Sequence, residues 1–191
     1  MVLTLYGSDA SPPTAAIYML INKLNLDVER VQINLLMNPQ HTIPTLKDGE
    51  FCIWESHAIA PYLATVYGKD DSLYPTDPKK RAVVDQRLHF DTGILFQSDC
   101  GSKILLLIYG DKTSLDPDVL DKIKEAYDFT EKFLTKNWIA GDELTVADIS
   151  CVSTISIMNI LLPIENQVHP KLWKWLKRIS AEDFYKKGNT A

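Results

Sequence analysis

Between residues 69 and 78 the chain changes its hydrophobic period. Before this stretch, short strand-like apolar runs are interleaved with helical ones. After Lys79 the apolar residues recur at helical spacing almost throughout, and no strand alternation returns. Periods of 2 and 3.6 residues demand different layers, so the two halves call for different architectures. The stretch itself contains Asp70, Asp71, Ser72, Pro75, Asp77 and Pro78, polar and proline-punctuated in the manner of a linker.

The first half reads β-α-β-β-β-α. Residues 2–6 are apolar and β-prone. Residues 12–24 carry Ile17, Leu20, Ile21 and Leu24 at helical spacing, with two prolines acceptable in a first turn. Residues 28–35 alternate. Residues 43–46 and 51–54 flank Lys47-Asp48-Gly49-Glu50, where Asp-Gly signals a hairpin. Residues 56–67 form a helix, with Gly68 placed as its C′ residue. The second half offers helices over 79–95, 98–109, 117–135, 146–161 and 171–181. Thr145-Val146-Ala147-Asp148 has the form of a capping box, a fold-stabilising device without chemistry. The expected fold class is α/β plus all-α, with domains at 1–76 and 77–191.

Of the 191 residues 46% are apolar, enough for a real core, and the formal net charge is −5. An acidic chain is a poor match for nucleic acid or an anionic membrane as main partner, though a local pocket for a small anion is allowed. No basic n-region with a cleavage site and no bilayer-length apolar run is visible, so neither secretion nor a membrane is expected. Cys52, Cys100 and Cys151 are odd in number and widely spaced, which fits reduced thiols in the cytoplasm. No Cys/His spacing fits a metal, and none is expected.

Three segments carry candidate chemistry. Ser11-Pro12-Pro13 places a hydroxyl at a strand-to-helix turn, either as a plain N-cap or as a donor to a bound anion. His41-Thr42-Ile43-Pro44 enters a strand, and an extended X-Pro segment is either an edge strand or a backbone ready to pair with a peptide. His41 is either solvated or a donor to a carboxylate. Glu55-Ser56 opens a helix, so it is either a surface Glu before a Ser cap or a holder of both charged ends of an amino acid.

These segments belong to a wider set: 3–13 (LTLYGSDASPP), 38–44 (NPQHTIP), 55–58 (ESHA), 67–75 (YGKDDSLYP), 87–96 (RLHFDTGILF), 139–150 (IAGDELTVADIS) and 169–175 (HPKLWKW). In this order and over nearly the whole chain, they resemble the cytosolic glutathione transferases, closest to the insect delta and epsilon classes. The resemblance implies a thioredoxin-like N-terminal domain, a helical C-terminal domain and a homodimer. It implies glutathione as co-substrate and no separate cofactor. Ser11 then holds the thiolate, while His41, Thr42, Ile43, Pro44, Glu55, Ser56 and His57 line the glutathione site. Pro44 is then cis, and His57 offers its backbone while its side chain packs or faces a second subunit. Tyr6 is the rival hydroxyl, used in other classes of the family.

The chain departs from this pattern in places. Relatives carry about a dozen more residues, including a short helix, where Leu36 here runs into Met37. They carry an arginine where this chain has Thr14-Ala15-Ala16. The run Gln97-Ser98-Asp99-Cys100-Gly101-Ser102 is polar where relatives line an electrophile pocket.

The expected function is conjugation of reduced glutathione to a small apolar electrophile between the two domains, with xenobiotic or insecticide detoxification as its setting. A non-catalytic protein that sequesters hydrophobic ligands is the alternative on the same scaffold. A thiol-disulfide oxidoreductase is disfavoured, because Ser11 stands where a cysteine is needed.

Overall fold

The computed structural model describes residues 3–32, 34–96 and 117–188. The helix expected over 98–109 and the run 97–102 lie outside them.

Leu3–Gly7 forms β1 and Pro12–Leu24 forms α1. β2 (Val28–Gln32) follows and stops three residues short of the expected end. A single 3-10 turn, Leu35–Met37, then makes the connection; the Asn34 side chain accepts from the Leu36 amide. β3 (Thr45–Asp48) and β4 (Phe51–Trp54) form the hairpin, shifted from the expected register. Its two-residue turn begins at Gly49, whose φ of 59° is what a II′ turn asks of its first residue. α2 covers Ser56–Tyr67. Gly68 ends α2 with an extended φ of −64°, not the left-handed C′ conformation. It must be glycine for another reason: a Cβ there would sit 2.2 Å from the Ala64 carbonyl oxygen.

The sheet order is β2-β1-β3-β4, parallel between β1 and β2 and antiparallel elsewhere. β1 thus lies between β2 and β3, so the short connection crosses one strand. This mixed sheet with its two helices is a thioredoxin-like domain, and a helical domain follows it. There α3 (Pro78–Phe90) runs into a π turn, Asp91–Phe96, before α4 (Pro117–Phe133), α5 (Val146–Leu161), α6 (Pro170–Ser180) and a short α7 (Asp183–Gly188). The π turn and α7 have no counterpart in the sequence reading.

Linker residues are held, not slack. Asp77 caps α3 by accepting from the Lys79 and Lys80 amides, and the Leu73 carbonyl accepts from the Val146 amide at the start of α5. At that same start, Oδ2 of the fully buried Asp148 accepts from the Thr145 amide (3.0 Å) and hydroxyl (3.1 Å). Its Oδ1 accepts from the Ile139 amide and Trp175 Nε1. Here the Thr145 hydroxyl donates to the carboxylate. Burial raises the Asp148 pKa against four donors that favour the ionised form.

α1 packs against α2, α5 and α7. Its residues from Thr14 to Ile21 are all buried, where the sequence suggested one apolar stripe. Two glycines make this enclosure possible. A Cβ on Gly7 would meet Thr14 Cγ2 at 2.3 Å, and one on Gly188 would meet the Met19 backbone nitrogen at 2.6 Å.

Candidate active site

Strand register brings the candidate segments together. Tyr6 pairs with Thr45, and Thr45 pairs with Trp54. The C-terminal end of β1, the N-terminal end of β3 and the C-terminal end of β4 therefore lie side by side. The segment 8–11 leaves this edge, 41–44 arrives at it, and Glu55-Ser56 departs from it. The N-termini of α1 and α2, each carrying positive potential, open there too.

At α1 the donors are few. Pro12 and Pro13 carry no N–H, and Ser11 Oγ accepts from the Thr14 amide at a long 3.4 Å. Ser11 is half-buried and is the N-cap. Capping uses a lone pair and leaves the hydroxyl hydrogen to donate, so the cap does not preclude the donor role. Tyr6 is also half-buried at this end of β1.

The segment 41–44 supplies backbone. The Ile43–Pro44 peptide is cis. The Ile43 N–H and C=O find no partner among the described residues, which leaves both for a peptide laid alongside. His41 and Thr42 are exposed, and His41 has a φ of 54°. The Thr42 carbonyl is taken by Asn38 Nδ2 (2.8 Å) and Thr45 Oγ1 (3.3 Å).

At α2 the cap is Glu55, not Ser56. The Glu55 carbonyl accepts from the Ala58 and Ile59 amides, and its side chain makes no cap bond. Ser56 is the first helical residue, 8% exposed. The Ser56 and His57 amides have no partner among the described residues, as expected of donors in a helix's first turn. Glu55 is exposed and holds φ 70°, ψ 110°, a strained conformation for any residue with a Cβ.

The His57 side chain packs, one of the two placements the sequence left open for it. It crosses to the helical half, where Nε2 meets Asp91 Oδ2 at 2.9 Å and Nδ1 meets Thr92 Oγ1 at 2.5 Å. The Thr92 hydroxyl also lies 3.3 Å from the Leu88 carbonyl. Thr154 of α5 donates to Asp91 Oδ1 at 2.9 Å. Only the His57 backbone remains for a ligand at the sheet edge. Sequence reasoning missed Asp91, Thr92 and Thr154; their one signal was their proximity to, or place in, the quoted segments 87–96 and 139–150. Burial pushes the Cys151 thiol well above its ordinary range, which fits an inert thiol.

A family model for the glutathione S-transferase N-terminal domain matches residues 1–65, and one for the C-terminal domain matches 78–183. The chain belongs to the glutathione S-transferase family. It is an enzyme of that family, and glutathione is its co-substrate. The transferase is 55% identical to glutathione S-transferase 1 of Manduca sexta, over 99% of this chain and 93% of that one. An epsilon-class glutathione S-transferase of the housefly, Musca domestica, superposes with a TM-score of 0.92 at 42% identity, covering 98% of this chain and 91% of that one. A glutathione transferase homolog of Drosophila mojavensis, solved with bound glutathione, gives a TM-score of 0.93 at 39% identity, with 99% and 92% coverage. The alignment with the Manduca protein runs over 202 positions, more than this transferase's 191 residues, so that relative holds residues this chain lacks.

Proposed function

We propose that this transferase adds reduced glutathione to small apolar electrophiles, with the Ser11 hydroxyl donating to the sulfur and holding it as thiolate. The observation that carries the reading is the strand register, which delivers the Ser11 turn, the open Ile43 peptide and the α2 N-terminus to one sheet edge. In this reading Ile43, ahead of Pro44, pairs with the cysteinyl backbone, and His41 and Thr42 lie toward the glycyl end. The Ser56 and His57 amides take the γ-glutamyl carboxylate, and Glu55 takes the ammonium. A hydrogen bond to a charged group is worth about 1.5–3 kcal/mol, or about one to two pKa units on the thiol. Free thiols titrate near ~8.5, so one such bond brings the thiolate into the neutral range.

The electrophile lies between the thioredoxin-like and helical domains, which we divide after residue 76. A cytoplasmic protein with a role in xenobiotic detoxification fits this chemistry. Among the described residues no helix is long and apolar enough to cross a membrane.

A turnover assay with glutathione and a generic aromatic electrophile tests the function. Ser11→Ala is expected to cut turnover far more than it weakens glutathione binding. Loss of activity in Tyr6→Phe but not in Ser11→Ala would reassign the role to Tyr6.

We also infer a symmetric homodimer. Its support is the apolar surface left on the sheet edge and α2, where Phe51 is 47% exposed and Val66 is 52% exposed. Sedimentation at micromolar concentration is expected to give a dimer; a monomer would remove the inference.

A further inference from the structure

The segment between the 3-10 turn and β3 has no regular structure, yet it presents the Ile43 peptide. One side chain organises it. Asn38 is 3% exposed. Its Nδ2 donates to the Thr42 carbonyl at 2.8 Å and to Thr45 Oγ1 at 2.6 Å. Its Oδ1 accepts from the Gln40 amide at 2.9 Å, and its carbonyl accepts from the His41 amide at 3.2 Å. A primary amide has two N–H donors, and both are in use. The Thr45 hydroxyl, fully buried, completes the ring by donating to the Thr42 carbonyl. Every one of these bonds stays within residues 38–45.

One further bond leaves the ring. Trp54 Nε1 donates to Gln40 Oε1 at 2.5 Å. Trp54 ends β4 and is followed directly by Glu55 and Ser56. The same loop is thus fastened to its own buried amide on one side and, on the other, to the strand that delivers the second half of the site.

We propose that Asn38 is a positioning residue for glutathione. It holds the loop in its ligand-accepting shape before glutathione arrives, and the Gln40–Trp54 bond keeps that shape in step with the α2 N-terminus. The inference rests on the glutathione reading of this edge given above. Without the amide ring, residues 39–43 sample many conformations, and glutathione must order them as it binds. The layers beneath, including Leu5 and Leu46, share none of these side-chain bonds. The cost therefore falls on the ligand more than on the fold.

The test uses the full-length protein. Asn38→Asp keeps the volume and the acceptor for Gln40, but turns the donor facing the Thr42 carbonyl into an acceptor. Thr45→Val removes the hydroxyl at constant shape, and Thr45→Ser keeps it. Steady-state kinetics with glutathione and a dinitrohalobenzene, S-methylglutathione calorimetry and thermal unfolding are measured on each. Asn38→Asp and Thr45→Val are expected to raise KM for glutathione and Kd for S-methylglutathione by roughly ten- to a hundredfold, as for one or two lost hydrogen bonds. KM for the electrophile, and kcat at saturating glutathione, stay near wild type. Thr45→Ser recovers most of the loss. A lower Tm with unchanged KM for glutathione in Asn38→Asp overturns the proposal. If that variant does not fold, equal glutathione KM in the two Thr45 variants overturns it. Failure of the unmutated protein to bind S-methylglutathione is a different result: it removes the glutathione reading itself, and with it this inference.

Discussion

Glu55 is asked to do two incompatible things. Its backbone, at φ 70° and ψ 110°, wants a glycine, while the proposed role needs its carboxylate. Such strain costs of order 1–3 kcal/mol and persists where function holds it. Glu55→Gly is therefore expected to make the protein about 1 kcal/mol more stable, once the entropy of glycine is subtracted. The same change is expected to weaken glutathione binding by about 1–3 kcal/mol. Urea unfolding and calorimetry on one variant check both signs, and unchanged or lower stability would discard the strain argument. At this scale the sequence was legible where chemistry is local. Ser11 before two prolines announces a capped helix start with few competing donors. The partner of His57 was not legible: Asp91 lies 34 residues away, and only tertiary packing brings it within reach. The span of α2 was legible, residues 56–67, but not its cap: serine favours the N-cap position, and here Glu55 takes it while Ser56 is the first helical residue.

Among the elements, the hairpin and α2 are joined by a carboxylate shared between two phenols. Asp48 accepts from Tyr62 at 2.7 Å and from Tyr67 at 2.5 Å. The hydrogen bond to Asp48 pushes the Tyr62 phenol up to about 12, and the same two bonds hold the Asp48 carboxyl below its ordinary value. A phenol raised in the folded state contributes stability that is complete below about 10, the unfolded value, and fades as pH climbs toward the folded one. Spectrophotometric titration is expected to show Asp48→Asn bringing both Tyr62 and Tyr67 back down, and an unshifted titration would count against the shared carboxylate. The alternation of strands and the Asp-Gly turn revealed this hairpin in advance. Its register slipped because Ile43-Thr45 looks as strand-like as Thr45-Lys47. The π turn after α3 stayed hidden, since residues 79–95 keep a helical pattern across it and nothing in the composition marks an inserted residue.

Across the whole molecule, the change of hydrophobic period foretold the division into a sheet half and a helical half. It said nothing of how firmly they join. The Leu73 carbonyl on the Val146 amide, the His57–Asp91–Thr154 chain and the seat of α7 on α1 are all long-range contacts. The last of these depends on Gly188, because the two nearest atoms a Cβ would strike, Met19 N and Cα, belong to the backbone of α1 and cannot swing aside. Gly188→Ala is expected to cost about 1–3 kcal/mol, the usual range for overpacking. Thermal unfolding should register this as a lower midpoint, by roughly 2–4 °C per kcal/mol for a chain of this size. An unaltered midpoint would mean that α7 is not firmly seated.

α1, enclosed without interruption from Thr14 to Ile21, has a consequence for how such an enzyme changes over generations. Almost every substitution along it must either open a cavity or force neighbours apart, and both are purged when stability is marginal. Ser11 caps the first turn of this rod, so a change that disturbs the rod is expected to be felt at that turn as well. New substrate preferences have to be written elsewhere, on segments whose side chains are free to vary. Substitutions there leave the enclosed helix, and the turn at its N-terminus, undisturbed.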